Sequence, residues 1–183
     1  MKTVFLGLAA LSTTALLGCA SQPGAGEQAA GHGAPAHSLA ADVRDPAGMT
    51  MARATVAEVG DSIRVRVEAM GMAPGAYGAH VHAIGRCDPP GFTAAGPHWN
   101  PTGQQHGKNN PQGMHKGDLP NLAVGTDGRG SFEVTVPGAR IAAGANPLMD
   151  ADGAAVVIHA SADDYRTDPS GNSGGRIACG VLG

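Results

Sequence analysis

"SIRVRVEAM", residues 62–70, sets Ile63, Val65 and Val67 in alternation with Arg64, Arg66 and Glu68. Successive side chains of a β-strand point to opposite faces, so this run reads as a strand with one face in a core and the other in water. Gly60-Asp61 places a turn directly before it, and "TMARATVAEV" at 50–59 stands on the far side of that turn as a pairing partner. Further short runs follow: "YGAHVHAIG" (77–85), "LAVGTD" (122–127), "GSFEVTVPG" (130–138), "AAVVIHAS" (154–161) and "RIACGVL" (176–182). Asp127-Gly128 is a hairpin signal between two of them. Strand-sized runs separated by turns, with no amphipathic helical pattern, predict an all-β domain built as an antiparallel sandwich or barrel. One segment departs from a simple meander. Residues 86–120 carry five prolines before Pro120, six glycines and almost no strand pattern, and a loop of that length inside a compact domain is usually functional.

The composition agrees. Among 183 residues there are 29 glycines and 13 prolines, with 3% aromatic and 42% hydrophobic content, which predicts one loop-rich domain with an aliphatic core. A formal charge of −3 and the absence of any lysine or arginine block argue against nucleic acid as a partner. The first eighteen residues, "MKTVFLGLAALSTTALLG", pair an early lysine with an apolar run too short for a comfortable membrane span, which reads as an export signal. "LLGC" at 16–19 resembles the lipobox of bacterial lipoproteins, implying cleavage before Cys19 and its lipidation; ordinary cleavage after Ala20 is the competing reading. From Ala20 to about Ala41 the chain is Gly, Ala, Pro and small polar residues, a flexible tether in which His32 and His37 read as solvated rather than ligating. The expected organisation is a signal peptide at 1–18, lipidated Cys19 and tether at 19–41, and a β-domain at 42–183. Such a protein is exported to the cell envelope or periplasm and anchored to a membrane by lipid. Setting Cys19 aside leaves Cys87 and Cys179, an even pair in an oxidising compartment, which predicts a disulfide.

Five of the eight histidines, His80, His82, His98, His106 and His115, fall within 36 consecutive residues, where even spacing would put fewer than two. In "GAHVHAIGRC" (78–87) the strand period puts His80 and His82 on one face and Val81 on the other. An isolated His-x-His is more often a pair of solvated rings, yet imidazole is the commonest metal-binding side chain, and positions i and i+2 on a strand can share one ion. His98, His106 and His115 lie in the long loop, Asp118 follows in "MHKGD", and His159 ends the run "AAVVIH". His98, His106, His115 and Asp118 make a four-coordinate zinc set from one loop. His80, His82 and His159 come from strands and suit copper, or a zinc with an open position. Two four-coordinate sites need eight donors from seven residues, which one shared imidazole supplies through its two nitrogens.

The motifs "GAHVHAIG", "AAGPHWNP", "QQHG", "GMHKGDLPN", "VVIHASADD" and "GNSGGRIACGV", taken in order, resemble copper/zinc superoxide dismutases of the bacterial exported kind, over about residues 39–183. The resemblance implies a Greek-key β-barrel of about eight strands with long metal-binding and active-site loops, and one copper and one zinc per subunit. It also implies superoxide as substrate, converted to dioxygen and hydrogen peroxide by one-electron cycling of copper. Carried over residue by residue, it assigns copper to His80, His82, His98 and His159, and zinc to His98, His106, His115 and Asp118, with His98 as a bridging imidazolate that takes up a proton in the cycle. Asp163 is implied as a carboxylate bonded to both His80 and His106. Arg176 is implied as the arginine that attracts the anionic substrate, tied to the ligand loop by the Cys87–Cys179 disulfide. Tyr77 and Ala79 stand where many members have His and Phe, and the segment between Asp163 and Arg176 is shorter and poorer in lysine than in animal-type enzymes. Lys108 and Lys116 read as ordinary loop charges before they read as helpers of Arg176. The competing function is an envelope scavenger that binds copper or zinc without turnover, against which the anion-attracting arginine argues. A homodimer is left open.

Overall fold

Among the described residues the regular structure is one 3-10 turn (Thr93–Ala95) and nine strands: β1 (Ser38–Arg44), β2 (Thr50–Val59), β3 (Ser62–Met70), β4 (Gly75–Tyr77), β5 (Ala79–His82), β6 (Leu122–Val124), β7 (Arg129–Pro137), β8 (Ala155–His159) and β9 (Arg176–Val181). The computed structural model describes residues 1–3 and 37–183; most of the export signal, Cys19, His32 and the tether up to residue 36 lie outside the described residues, while Ser38–Ala41, predicted as the end of the tether, instead belong to β1 because they pair with Ala54–Ala57 of β2. Seven strands form one antiparallel sheet in the order β5-β8-β9-β1-β2-β3-β7, and β4 pairs with β6. The all-β antiparallel architecture is the one the strand pattern predicts. The strand count differs because the run 77–85 breaks at Gly78. Its N–H donates to Ser161 O and its carbonyl accepts from His159 N, both at 2.8 Å, so β4 pairs with β6 while β5 turns to β8. End to end, β4 and β5 make an eighth strand that carries the large sheet round toward β6. Gly125 N donates to Arg129 O at 2.8 Å across the turn from β6 into β7, and the sheet curls toward a barrel.

The alternation of residues 62–70 forms a wall of this barrel. Ile63, Val65 and Val67 are fully buried against Ala52, Ala54 and Val56 of β2, while Arg64 and Arg66 on the outer face meet Glu133 of β7 at 3.5 and 3.9 Å. These exposed ion pairs contribute little; burial of the inner face holds the sheet. β8 instead has five consecutive buried residues. Val156 and Ile158 face the main core, whereas Ala155 and Val157 face a second cluster with Phe92, Ala95 and Cys179. The disulfide Cys87–Cys179, with Cα atoms 5.6 Å apart, holds the start of the long loop over that outer face, which is why the run lacks alternation. Closing so long a loop, with a sequence separation of 92, stabilises the fold by at most roughly 4–5 kcal/mol on chain-entropy grounds.

The long loop also covers the free edge of β5. Trp99 N donates to Val81 O at 2.8 Å, Val81 N to Gly117 O at 2.9 Å, and Gly117 N to Trp99 O at 2.9 Å. Position 117 needs glycine, since a Cβ there would stand 2.3 Å from Val81 O.

Candidate metal centre

These pairings deliver ligating side chains to one place. Val81 turns to the core while His80 and His82 are fully buried beside it. Edge pairing sets His98 opposite His82 and Asp118 opposite His80. His159 sits where the β8–β9 register shifts, directly across from Arg176; a bulge of this kind re-aims side chains. The centroids of the His80, His82, His106, His115 and His159 rings lie 4.0, 4.9, 5.2, 5.4 and 6.2 Å from that of His98. Among the described residues His98 is the one ring that neighbours all five others.

On one side of His98, three Nδ1 atoms converge on one carboxylate oxygen. Oδ1 of Asp118 lies 2.9, 3.0 and 3.1 Å from Nδ1 of His98, His106 and His115. Its Oδ2 is satisfied by the backbone N–H groups of Gly107 and His115, at 2.8 and 3.0 Å, so only Oδ1 is free to ligate. Tetrahedral donors on bonds of about 2.0 Å stand about 3.3 Å apart, and these separations agree with that spacing to within a few tenths of an ångström.

On the other side, four buried ring nitrogens have no hydrogen-bond partner among the described residues: His80 Nδ1, His82 Nε2, His98 Nε2 and His159 Nε2. Donor atoms of these four residues lie within 4.8 Å of one another. The opposite nitrogens explain why these carry lone pairs. His82 Nδ1–H donates to Gly96 O at 2.8 Å, His159 Nδ1–H to Gly174 O at 3.1 Å, and His80 Nε2–H to Asp163 Oδ2 at 2.9 Å. Each bond fixes a tautomer and turns the bare nitrogen inward. Leaving four such atoms unpaired in a core is costly, so the donor set fits a metal. A further grouping of donor atoms, His80, His98, His106 and Asp118, meets the same spacing, but His80 Nδ1 is already a member of the orphaned set while His115 Nδ1 stands on Asp118.

Asp163 ties the two sides together. Its Oδ2 accepts from His80, and its Oδ1 lies 3.0 Å from His106 Nε2. Charge follows the same division. Burial holds His80, His82 and His159 down to about 3, 2 and 4, so all three are neutral and able to ligate at pH 7; His98 is lowered by burial as well. Burial also opposes a charge on His106, but Asp118 and Asp163 outweigh it and push it up to about 9. Both carboxylates are held well below the usual range against their own burial by bonds from these histidines.

A cavity of about 750 Å³ opens onto His98, His115 and His159, with Arg176 in its wall. The guanidinium is fixed by two 2.7 Å bonds, to Phe92 O and Gly96 O. Lys108 lies over the Tyr165 ring at 3.9 Å and Lys116 donates to Pro137 O at 2.8 Å. Both line a separate cavity beside His115 and Asp118, as befits ordinary loop charges. His37 pairs with Glu58 at 3.2 Å, away from the cluster. The carbonyls of Gly96 and Gly174 and the side chain of Asn121 were not legible as site parts. A carbonyl is common to every residue, and Asn121, though it ends the motif "GMHKGDLPN", has no spacing to a ligand that assigns it a role.

Known proteins resemble the chain over most of its length. The profile of the copper/zinc superoxide dismutase family matches residues 50–182. The chain is 44% identical over 124 residues to the superoxide dismutase-like protein YojM of Bacillus subtilis, covering 67% of this chain and 63% of that protein, somewhat under two thirds of its length. It is 40% identical over 144 residues to Cu-Zn superoxide dismutase 1 of Aquifex aeolicus, covering 78% of this chain and 85% of the relative. The crystal structure of a SOD-like protein from Bacillus subtilis superposes with a TM-score of 0.73 at 37% identity, over 78% of this chain and 97% of that one.

Proposed function

The chain belongs to the copper/zinc superoxide dismutase family, and from that premise we propose that it converts superoxide to dioxygen and hydrogen peroxide. Copper is held by His80, His82, His98 and His159, and zinc by His98, His106, His115 and Asp118. The observation that carries this reading is the set of four buried, orphaned ring nitrogens, one from each copper residue. Bound copper supplies one-electron exchange in both directions, and zinc supplies charge and rigidity without redox chemistry. The protein supplies the rest. Arg176 presents a fixed positive charge to an anion entering the cavity, a local exception in a chain that from Cys19 onward carries 11 basic against 15 acidic residues, a formal −4. His98 is placed to take up and hand on a proton at Nε2 while Nδ1 stays engaged beside Asp118. Gly96, Gly174 and Asp163 keep the other three rings from turning.

The Cys87–Cys179 disulfide and the bacterial relatives fit an exported protein. Lipidation of Cys19, with the segment from Ala20 up to the start of β1 at Ser38 serving as the tether that holds the domain near a membrane, is the finer part of the proposal. Metal analysis and a superoxide assay on the same purified sample test the function. One copper and one zinc per chain with copper-dependent turnover is the expected result; a fully metallated protein without turnover would establish a scavenger instead.

A further inference from the structure

We propose that Asn121 is a positioning residue for both metals, acting through the backbone of Asp163; this rests on the ligand reading above. Asn121 lies at the end of the loop that carries Asp118, and its side chain reaches across to the β8–β9 connection. Asp163 N donates to Asn121 Oδ1 at 2.8 Å, and Asn121 Nδ2 donates to Asp163 O at 2.9 Å. The amide thus grips both polar groups of a single residue, and the roles of its two ends follow from the partners, since an N–H can only donate and a carbonyl can only accept. Asn121 N in turn donates to the Tyr165 hydroxyl at 2.7 Å, so the same residue holds the chain two positions further on.

The clamped residue has little freedom left. Oδ1 of Asp163 accepts from Tyr165 N at 2.6 Å and stands 3.0 Å from His106 Nε2, while Oδ2 accepts from His80. A Cβ on Gly171 would lie 1.7 Å from Oδ1, so the packing leaves no slack on that side. One carboxylate therefore sets the rotation of one copper ring and one zinc ring, and the position of that carboxylate is set by the clamp. Removing the clamp frees Asp163 N–H and C=O, and both rings move together because they share the carboxylate.

The test uses the full-length, disulfide-intact protein stripped of metal, with Co(II) as probe of the zinc set and Cu(II) as probe of the copper set. Replacing a partner that orients a ligand typically weakens metal binding 10–100-fold. Asn121 acts one bond further out, so the expected loss in Asn121→Ala is about tenfold for each metal, with the Co(II) visible bands and the Cu(II) electron paramagnetic resonance spectrum shifting together. Asn121→Asp keeps the acceptor and loses the donor, and should give smaller shifts of both signals; it decides the matter by the same readouts if the alanine variant does not fold. Asn146→Ala removes a 2.7 Å bond to Gly138 O outside the metal loops and should lower thermal stability while leaving both spectra unchanged. Unchanged spectra and affinities in the Asn121 variants, or a shift of Co(II) alone, overturn the clamp's role. Wild-type protein that takes up neither probe overturns the ligand reading itself, and the clamp with it.

Discussion

On the proposed ligand set, zinc entering the metal-free protein has to displace a proton from His106, and the pH dependence of its uptake should show this. Both ring nitrogens of His106 face carboxylate oxygens at 3.0 Å, Nδ1 on Asp118 and Nε2 on Asp163. A neutral imidazole has one N–H, so one contact would set a lone pair against a carboxylate, whereas the imidazolium satisfies both. That is the physical content of a value pushed up to about 9 despite burial. Zinc requires Nδ1 bare, while Nε2–H can stay on Asp163. At pH 7, two units below, apparent zinc affinity should be about a hundredfold weaker, roughly 2.7 kcal/mol, than above pH 9. The same proton stabilises the metal-free fold. Because the folded value is raised above the unfolded value near 6.5, the contribution is complete below about 6.5. It is lost as pH rises through about 9, on the order of 3 kcal/mol in all. Calorimetric titration of zinc in buffers of different ionisation enthalpy counts the protons, and competition with a chelator from pH 6.5 to 9 gives the affinity. About one proton released per zinc at pH 7 from His106, with a tenfold gain in affinity per pH unit, is the expected result. Zero release with a flat affinity would refute the argument.

On the acid side the sign reverses. His80, His82 and His159 are depressed to about 3, 2 and 4 by burial, so their stabilisation is present above about 6.5 and is lost as pH falls toward those values; with three such groups the slope approaches about 4 kcal/mol per pH unit. Metal-free protein followed by circular dichroism should therefore unfold over a narrow range below pH 6.5, and a shallow decline would count against buried neutral rings. Arg176→Gln should lower the rate, retain both metals and flatten the fall of rate with ionic strength; an unchanged salt dependence would place the steering elsewhere. Cys19→Ser should move active enzyme into the soluble envelope fraction, whereas wild-type protein that already begins at Ser21 by mass spectrometry would show that no anchor exists.

The strand pattern reads directly from the sequence because the inner and outer faces of β2 and β3 see different solvents, and alternation records that difference. It fails at Gly78, where one apparent strand serves two partners, because the break is made by hydrogen bonds to Ser161 and His159, some eighty residues away. β8 shows the opposite case: its apolar run has no period because a loop held by the disulfide hides its outer face. At the metal centre the residue types and spacings are legible, since only histidine and carboxylate can supply those donors. The tautomers of His82 and His159 are not, because they are set by the carbonyls of Gly96 and Gly174, groups every residue has.

Gly96 also shows why site and scaffold cannot be separated here. Its carbonyl accepts from His82 Nδ1 at 2.8 Å and from Arg176 at 2.7 Å, so one peptide orients a ring of the proposed copper set and holds the charge proposed to draw the substrate. Phe92, whose carbonyl takes the second bond from Arg176, and Ala95 are buried against the outer face of β8 beside Cys179, and Cys87 fastens the same segment covalently. The arginine itself begins β9, the strand that carries Cys179. A rotation of either element would move the guanidinium and the His82 ring together. The disulfide thus constrains more than the unfolded chain: it keeps the guanidinium proposed to attract the anion in register with the orphaned ring nitrogens of the copper set.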